Sequence, residues 1–500
     1  MGATKKFLVA ALLVAVSCQS EEPSSTPKWN GPPPQLVSVS TTGKLGNSRS
    51  SIPYPPVASV VTPNGRFVAF DSRASNLVPE DTTHSHEFAE IFVRDMKRHT
   101  TERINVDSRE RQANQAFGPN DYPRGGFPNT YLGGISDDGR YVVFATTSSN
   151  LVPRDTNRSW DVFLRDRWSG TTTLVSRAPI GAPGNRDSFY PVISVDGGTI
   201  AFASRASNLV HNDTNHASDV FVYNVATRTT TLASTASDGT QADGDNASVF
   251  SEKGSSRPSV SADGSVVAFS STADNLVEGD TNDLADVFVR DLDKGTTIRV
   301  SVSSDGEQTE ALDLGHMEGP YGNSSSVSLS GDGTVVMFTT MAPNLVDGDT
   351  NDLPDTFVHD LKTGKTERIS VTSDGEQVTG CTDDQCLYDK GSAGGSLSFD
   401  GRFAAFTSGG DLVPGDADHP YGADHDVFIR DRASDETMFV TYRVDGQPAA
   451  PANLYGPSLS SNGRWLVYGS DDKHLVRRTE GHEAFGWVFL QKLPAALFRD

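Results

Sequence analysis

The sequence predicts an all-β fold, seven four-stranded sheets set around an axis, and three observations carry that prediction. Apolar residues fall in short runs of Val, Phe, Ile and Leu separated by Gly, Ser, Asp and Asn, and no helical period persists beyond the extreme N-terminus. A phrase typified by residues 273–292 (ADNLVEGDTNDLADVFVRDL) recurs at 149–167, 207–225 and 343–361, with looser copies at 75–96 and 411–432. A tight-turn glycine recurs at Gly65, Gly139, Gly197, Gly264, Gly333, Gly401 and Gly463, which counts seven units. Four-stranded units repeated in this way form a β-propeller, here of seven blades.

Taken in order, the chain opens with Lys5 and Lys6, an apolar run over 7–16 and small residues ending at Cys18. That is the pattern of an export signal, and its core is too short to stay in a membrane as a span. Small residues before a cysteine resemble the bacterial lipobox, which implies lipidation of Cys18. Ala15 stands where that motif has Leu, so an ordinary secretory signal is the other reading. Gln19 after the cysteine implies an outer-membrane address if the host is Gram-negative. Residues 18–34, rich in Ser, Pro and Glu, form a tether that buries too little to fold. Fully extended, it reaches roughly 55 Å at about 3.4 Å per residue. The expected organisation is a signal peptide over 1–17, the tether over 18–34, the propeller over 35–493 and a tail over 494–500.

One unit is clearest at 258–308. A short strand over 259–261 meets the Asp263-Gly264 turn, where glycine supplies positive φ. The second strand, 265–270, is apolar on both faces, as a sheet covered on both sides requires. The third strand spans 286–290, and the fourth, alternating and half-exposed, spans 296–303. The last unit has three strands, while 36–40 matches a fourth strand without its first three. The N-terminal strand is therefore expected to complete the last blade and close the ring, removing two open edges.

The Ser-x-Asp-Gly turn with its following strand (Ser261 to Phe269) and the Asp-Val-Phe-Val-Arg-Asp strand (Asp286 to Asp291) resemble TolB-type, WD-like propeller repeats of bacterial exported proteins. The resemblance covers about nine-tenths of the chain and implies a scaffold or binding module, or the gating domain of a peptidase.

A formal charge of −23 argues against nucleic-acid backbones and anionic lipid surfaces, so membrane contact is expected through the lipid anchor alone. Cys381 and Cys386 share one loop, and in an oxidising compartment a local disulfide fits them better than a two-thiolate zinc site. The sharpest chemical motif is D-x-N-x3-D: Asp155/Asn157/Asp161, Asp213/Asn215/Asp219, Asp280/Asn282/Asp286 and Asp349/Asn351/Asp355. Alternate oxygens in a tight loop suit Ca2+, although the distal Glu and central Gly of a calcium loop are missing. Side chains bonding their own turn explain the same pattern and weigh somewhat more. Looser variants are Asp416/Asp418/Asp426 and Asp81/Thr83/Glu90. Arg165-Asp166, Arg290-Asp291 and Arg430-Asp431 read as ion pairs at strand ends, and Trp160, Trp168, Trp465 and Trp487 as packing residues.

Connectivity places the first-to-second and third-to-fourth turns on one face. The Asp-Thr-Asn loops and every long insertion lie on the other, where binding usually resides. There is no phosphate loop, H-E-x-x-H or G-x-S-x-G element. The expectation is a non-enzymatic, monomeric, envelope-anchored propeller that binds a protein, peptide or glycan through its loop-rich face, with calcium as a candidate cofactor. The alternative is a polysaccharide hydrolase or lyase acting in the central funnel.

Overall fold

Seven antiparallel sheets of four strands surround a common axis. The structure, a computed structural model, describes residues 31–52, 59–81, 88–114, 130–243, 255–312, 323–378, 390–413, 425–443, 449, 454–477 and 486–498. The export signal, Cys18, Cys381, Cys386, Thr83, Asp416, Asp418 and most of the tether lie outside these residues. Blades 1 to 7 are numbered by their inner strands: Ser50–Ser51, Thr130–Ile135, Ser188–Ile193, Ser255–Val260, Ser325–Leu329, Ser392–Leu397 and Leu454–Leu459.

The core lies between the blades because the two middle strands of each are covered on both faces. The second strands Thr199–Ser204, Val335–Thr340 and Phe403–Ser408 are buried throughout. Each blade carries one stacked aromatic pair across those strands, from Phe70–Phe92 at 5.7 Å to Tyr468–Phe489 at 5.8 Å between ring centroids. Burying one such ring contributes about 1.5–3 kcal/mol, and the pairing adds about 0.5–1.5.

The first turn forms as its residues dictate. The Ser261 hydroxyl donates to Asp263 at 2.7 Å and accepts the Val266 N–H at 3.0 Å, while Gly264 takes φ 74°. The outer strand is shorter than expected, Thr296–Arg299 rather than 296–303. After Arg299 the Ser301 hydroxyl accepts the Val287 N–H, Ser303 N–H bonds Glu307 C=O, and Gly306 turns the chain into a small hairpin.

The ring closes as expected. Gln35–Leu36 pairs antiparallel with Trp487–Lys492, Gln35 facing Leu490 and Leu36 facing Phe489. The Val37 N–H continues the ladder to Val488 C=O at 2.8 Å, where the chain turns away instead of pairing to residue 40. Blades are also stapled to each other. Arg94, Arg290 and Arg430 donate to backbone carbonyls of the preceding blade's outer hairpin, at Ser40, Ala236 and Thr372. The Arg-Asp dipeptides therefore do not pair internally. Asp166 and Asp431 take Arg140 and Arg402 from the second-strand side, at 2.7 and 2.8 Å.

Candidate functional site

The D-x-N-x3-D residues all lie on the loop-rich face, at the entry to each third strand. In blades 2 to 5 the Asn side chain turns its Nδ2 toward the last Asp: Asn157 to Asp161 at 2.8 Å, Asn215 to Asp219 at 2.9 Å, Asn282 to Asp286 at 3.1 Å and Asn351 to Asp355 at 3.0 Å. The Asn Oδ1 accepts a backbone N–H two residues on, as at Ser159 and Leu284. The other oxygen of each last Asp accepts the hydroxyl of Ser176, Ser234, Ser301 or Ser370 on the outer-strand side. These last carboxylates are sealed, with Asp161, Asp219 and Asp286 at 0% and Asp355 at 1% exposure.

What differs between blades is the counter-charge. In blade 4 the Arg299 guanidinium bridges Asp280 at 2.9 Å and Asp286 at 3.3 Å, and in blade 5 Arg368 bridges Asp349 at 2.8 Å and Asp355 at 3.2 Å. Blade 1 repeats the device, Arg103 holding Asp81 at 3.0 Å and Glu90 at 3.1 Å. The equivalent outer-strand residue, opposite the third-strand Phe, is Leu174 in blade 2 and Leu232 in blade 3. There the paired acids face each other without a guanidinium. Burial first, and then the Asp155 charge, push Asp161 up to about 7, while burial pushes Asp155 up to about 6. In blade 3 burial, with Asp213 adding, pushes Asp219 up to about 6.

This donor geometry bears directly on calcium. In blades 4 and 5 a guanidinium already occupies the space between the acids, and the Asn offers N–H rather than oxygen to that space. Those two sets do not fit a cation. Blades 2 and 3 offer two carboxylates each. Among the described residues, no three His, Cys, Asp or Glu side chains form a group able to hold a metal ion.

The axial channel has two unlike ends. At the short-turn end a cavity of about 60 Å³ is lined by one or more inner-strand residues of every blade, including Ser59, Asp137, Ser259, Phe399 and Ser461. Asp137 accepts the Ser461 hydroxyl at 2.7 Å, and burial pushes its carboxyl up to about 6. Such a space holds waters and little else. At the loop-rich end the inner strands of blades 2 to 4 carry Tyr131, Phe189, Tyr190 and Arg257, which touch one another across the blades. Tyr190 lies 5.8 Å from Tyr131 and 5.2 Å from Phe189, ring to ring, and the Arg257 guanidinium lies 5.6 Å from the Tyr190 centroid.

This group was not singled out from the sequence. Its signal is there when the units are aligned on Ser194, Ser261 and Ser460: Tyr190-Pro191, Arg257-Pro258 and Gly456-Pro457 then share one register. Of the tryptophans, Trp487 is sealed in the core, Trp465 packs over Gly65, and Trp168 is 67% exposed beside Arg140.

No protein-family model matches the sequence, and no curated protein matches it. Solved structures similar to it are propellers. An oligogalacturonate lyase in complex with manganese is 10% identical, with 94% of this chain and 100% of that one covered, at a TM-score of 0.48. TolB from Acinetobacter baumannii is 14% identical over 86% of this chain and 81% of that one, at 0.36. The propeller domain of the Trilobed protease from Pyrococcus furiosus is 11% identical over 85% and 91%, at 0.43. The TolB-type, seven-bladed architecture read from the repeats is the one that the strand pairing forms.

Proposed function

We propose that the protein is a non-enzymatic binding propeller that takes a protein, peptide or glycan on its loop-rich face. The observation that carries this reading is the contrast between the two ends of the channel. One end is a water-sized space inside tight turns, and the other presents half-exposed aromatic and guanidinium side chains beside the loops. The alternative, a polysaccharide hydrolase or lyase, needs acids within reach of a substrate. Asp161 and Asp219, whose pKa values rise most plausibly toward such a role, are sealed under their own Asn and Ser partners, which favours binding.

Export and lipidation at Cys18 complete the reading, supported by the charged start and apolar run of the sequence. Among the described residues no helix is long and apolar enough to cross a membrane. Calcium belongs to this proposal only at blades 2 and 3, where Leu174 and Leu232 leave the acids without a guanidinium.

The test is capture of an envelope partner by the full chain together with a polysaccharide panel assayed for new reducing ends. Capture that weakens when Tyr190 and Arg257 are replaced, without turnover, supports the binding reading. New reducing ends, abolished by Asp155→Asn, would establish the enzyme instead.

A further inference from the structure

Tyr190 and Arg257 occupy the same bulge of their inner strands, with φ of 51° and 48°. The same position is Ser326 at φ 55° in blade 5 and Gly456 at φ 52° in blade 7. The ring therefore builds this bulge with small residues elsewhere, and a left-handed backbone disfavours large side chains. Two bulky residues held there, in adjacent blades and in contact with each other, point to a use beyond folding.

The surroundings say what that use is. Inner strands begin, and second strands end, at the loop-rich mouth. On that rim Arg73 bonds Arg49 through the backbone at 2.9 Å, and Arg205 bonds Asp187 in the same way at 2.9 Å. Arg49 and Arg73 act electrostatically on Asp71, Asp71 and Arg257 on Tyr131, and Arg205 interacts with Tyr190. The acids of the group are themselves engaged, Asp71 with the Ser51 hydroxyl at 2.9 Å and Asp187 with the Trp160 N–H at 2.9 Å. One sector of the mouth, across blades 1 to 4, thus gathers guanidiniums around a tyrosine platform in a chain whose net charge is −23. A guanidinium fork matches a carboxylate, and an aromatic face matches the apolar face of a sugar ring.

We propose that this sector binds a carboxylated saccharide of the uronic-acid type. Sugar rings rest on Tyr190 and Tyr131, and carboxylates pair with Arg257, Arg205 and Arg73. The proposal rests on the binding reading above and names its ligand class. An acidic peptide would satisfy the guanidiniums but leave the aromatic platform without a partner.

The experiment is calorimetry on the full chain at low salt with a uronic-acid hexasaccharide, its carboxyl-reduced neutral counterpart and a hexaglutamate peptide. The uronate alone should bind, and more weakly as salt rises. Tyr190→Gly and Arg257→Gly give these bulges the residue that blade 7 already uses. Each should weaken uronate binding at least about tenfold with an unchanged or raised Tm. Equal binding of the neutral saccharide, equal or tighter binding of hexaglutamate, or uronate binding indifferent to both variants would overturn the proposal. So would no binding of any probe. If an envelope partner is still captured in that last case, this inference alone fails and the binding reading stands.

Discussion

Arg299, Arg368 and Arg103 set against Leu174 and Leu232 form a mutation series already present in one molecule. Removing Arg299 leaves Asp280 and Asp286 buried without a counter-charge, and breaking such a pair costs about 3–5 kcal/mol. Arg299→Leu should therefore lower the denaturation midpoint by that much in equilibrium unfolding; a loss below about 1 kcal/mol would show the bridge to be dispensable. The converse substitution concerns pH. Asp155 and Asp161 have folded pKa values of about 6 and 7, above the free carboxylate value. Acids raised in this way favour the folded state while protonated. Their contribution is complete below about pH 4 and is lost as pH rises through about 6 to 7. Leu174→Arg supplies the missing guanidinium, so it should raise Tm at about pH 8 and change it little at about pH 5. An equal shift at both values would show that packing rather than charge is responsible. At this scale the sequence was legible in part. The Asp and Asn spacing stood out, but the residue deciding how each pair is neutralised lies thirteen positions after the last Asp on another strand, as Arg299 follows Asp286. Only the fold brings it back.

The blade itself, as an element, is almost wholly written in local chemistry. Ser-x-Asp-Gly turns, doubly apolar second strands and an alternating outer strand appear where the patterns of Ser261, Val267 and Ile298 put them. The outer strand's early end was not legible. Val300 and Val302 keep the alternation past Arg299, whereas the Ser301 hydroxyl diverts the Val287 N–H and releases the chain. The turn glycines are also tied to neighbouring blades. A Cβ on Gly65 would lie 2.4 Å from the Trp465 ring, and its φ is 66°. Gly65→Ala should cost about 1–2 kcal/mol from backbone conformation alone, with the clash added. Gly279, equally left-handed at φ 77° but with nothing within 4 Å of a Cβ, should lose only the backbone share. Thermal denaturation of the two variants separates the contributions, and equal losses would rule out the Trp465 contact.

Seven units could be counted from seven glycines, and ring closure followed from one strand lacking at one end and one spare at the other. What the count could not reveal was inequality among the blades, because repeats read alike until side chains meet across them. Tyr190 meets Arg257 only once blades 3 and 4 stand side by side. Deleting residues through Val39 should unpair Trp487–Lys492 and leave a bare sheet edge. The expected result is a lower Tm and self-association on size-exclusion chromatography; an unchanged monomer would mean that the closing strand contributes little.

That closing strand also has a direction. Third strands leave the loop-rich face and end at the short-turn face, and Gln35–Leu36 runs antiparallel to Trp487–Lys492, so the chain enters from the short-turn side. The Gln491 amide fastens that entry to the Pro32 carbonyl at 2.5 Å. Anything that holds the polypeptide upstream of Pro32 holds it by the rim of the closed end, like a cup fixed by its base. The tyrosine and arginine mouth is then turned outward, away from the point of attachment.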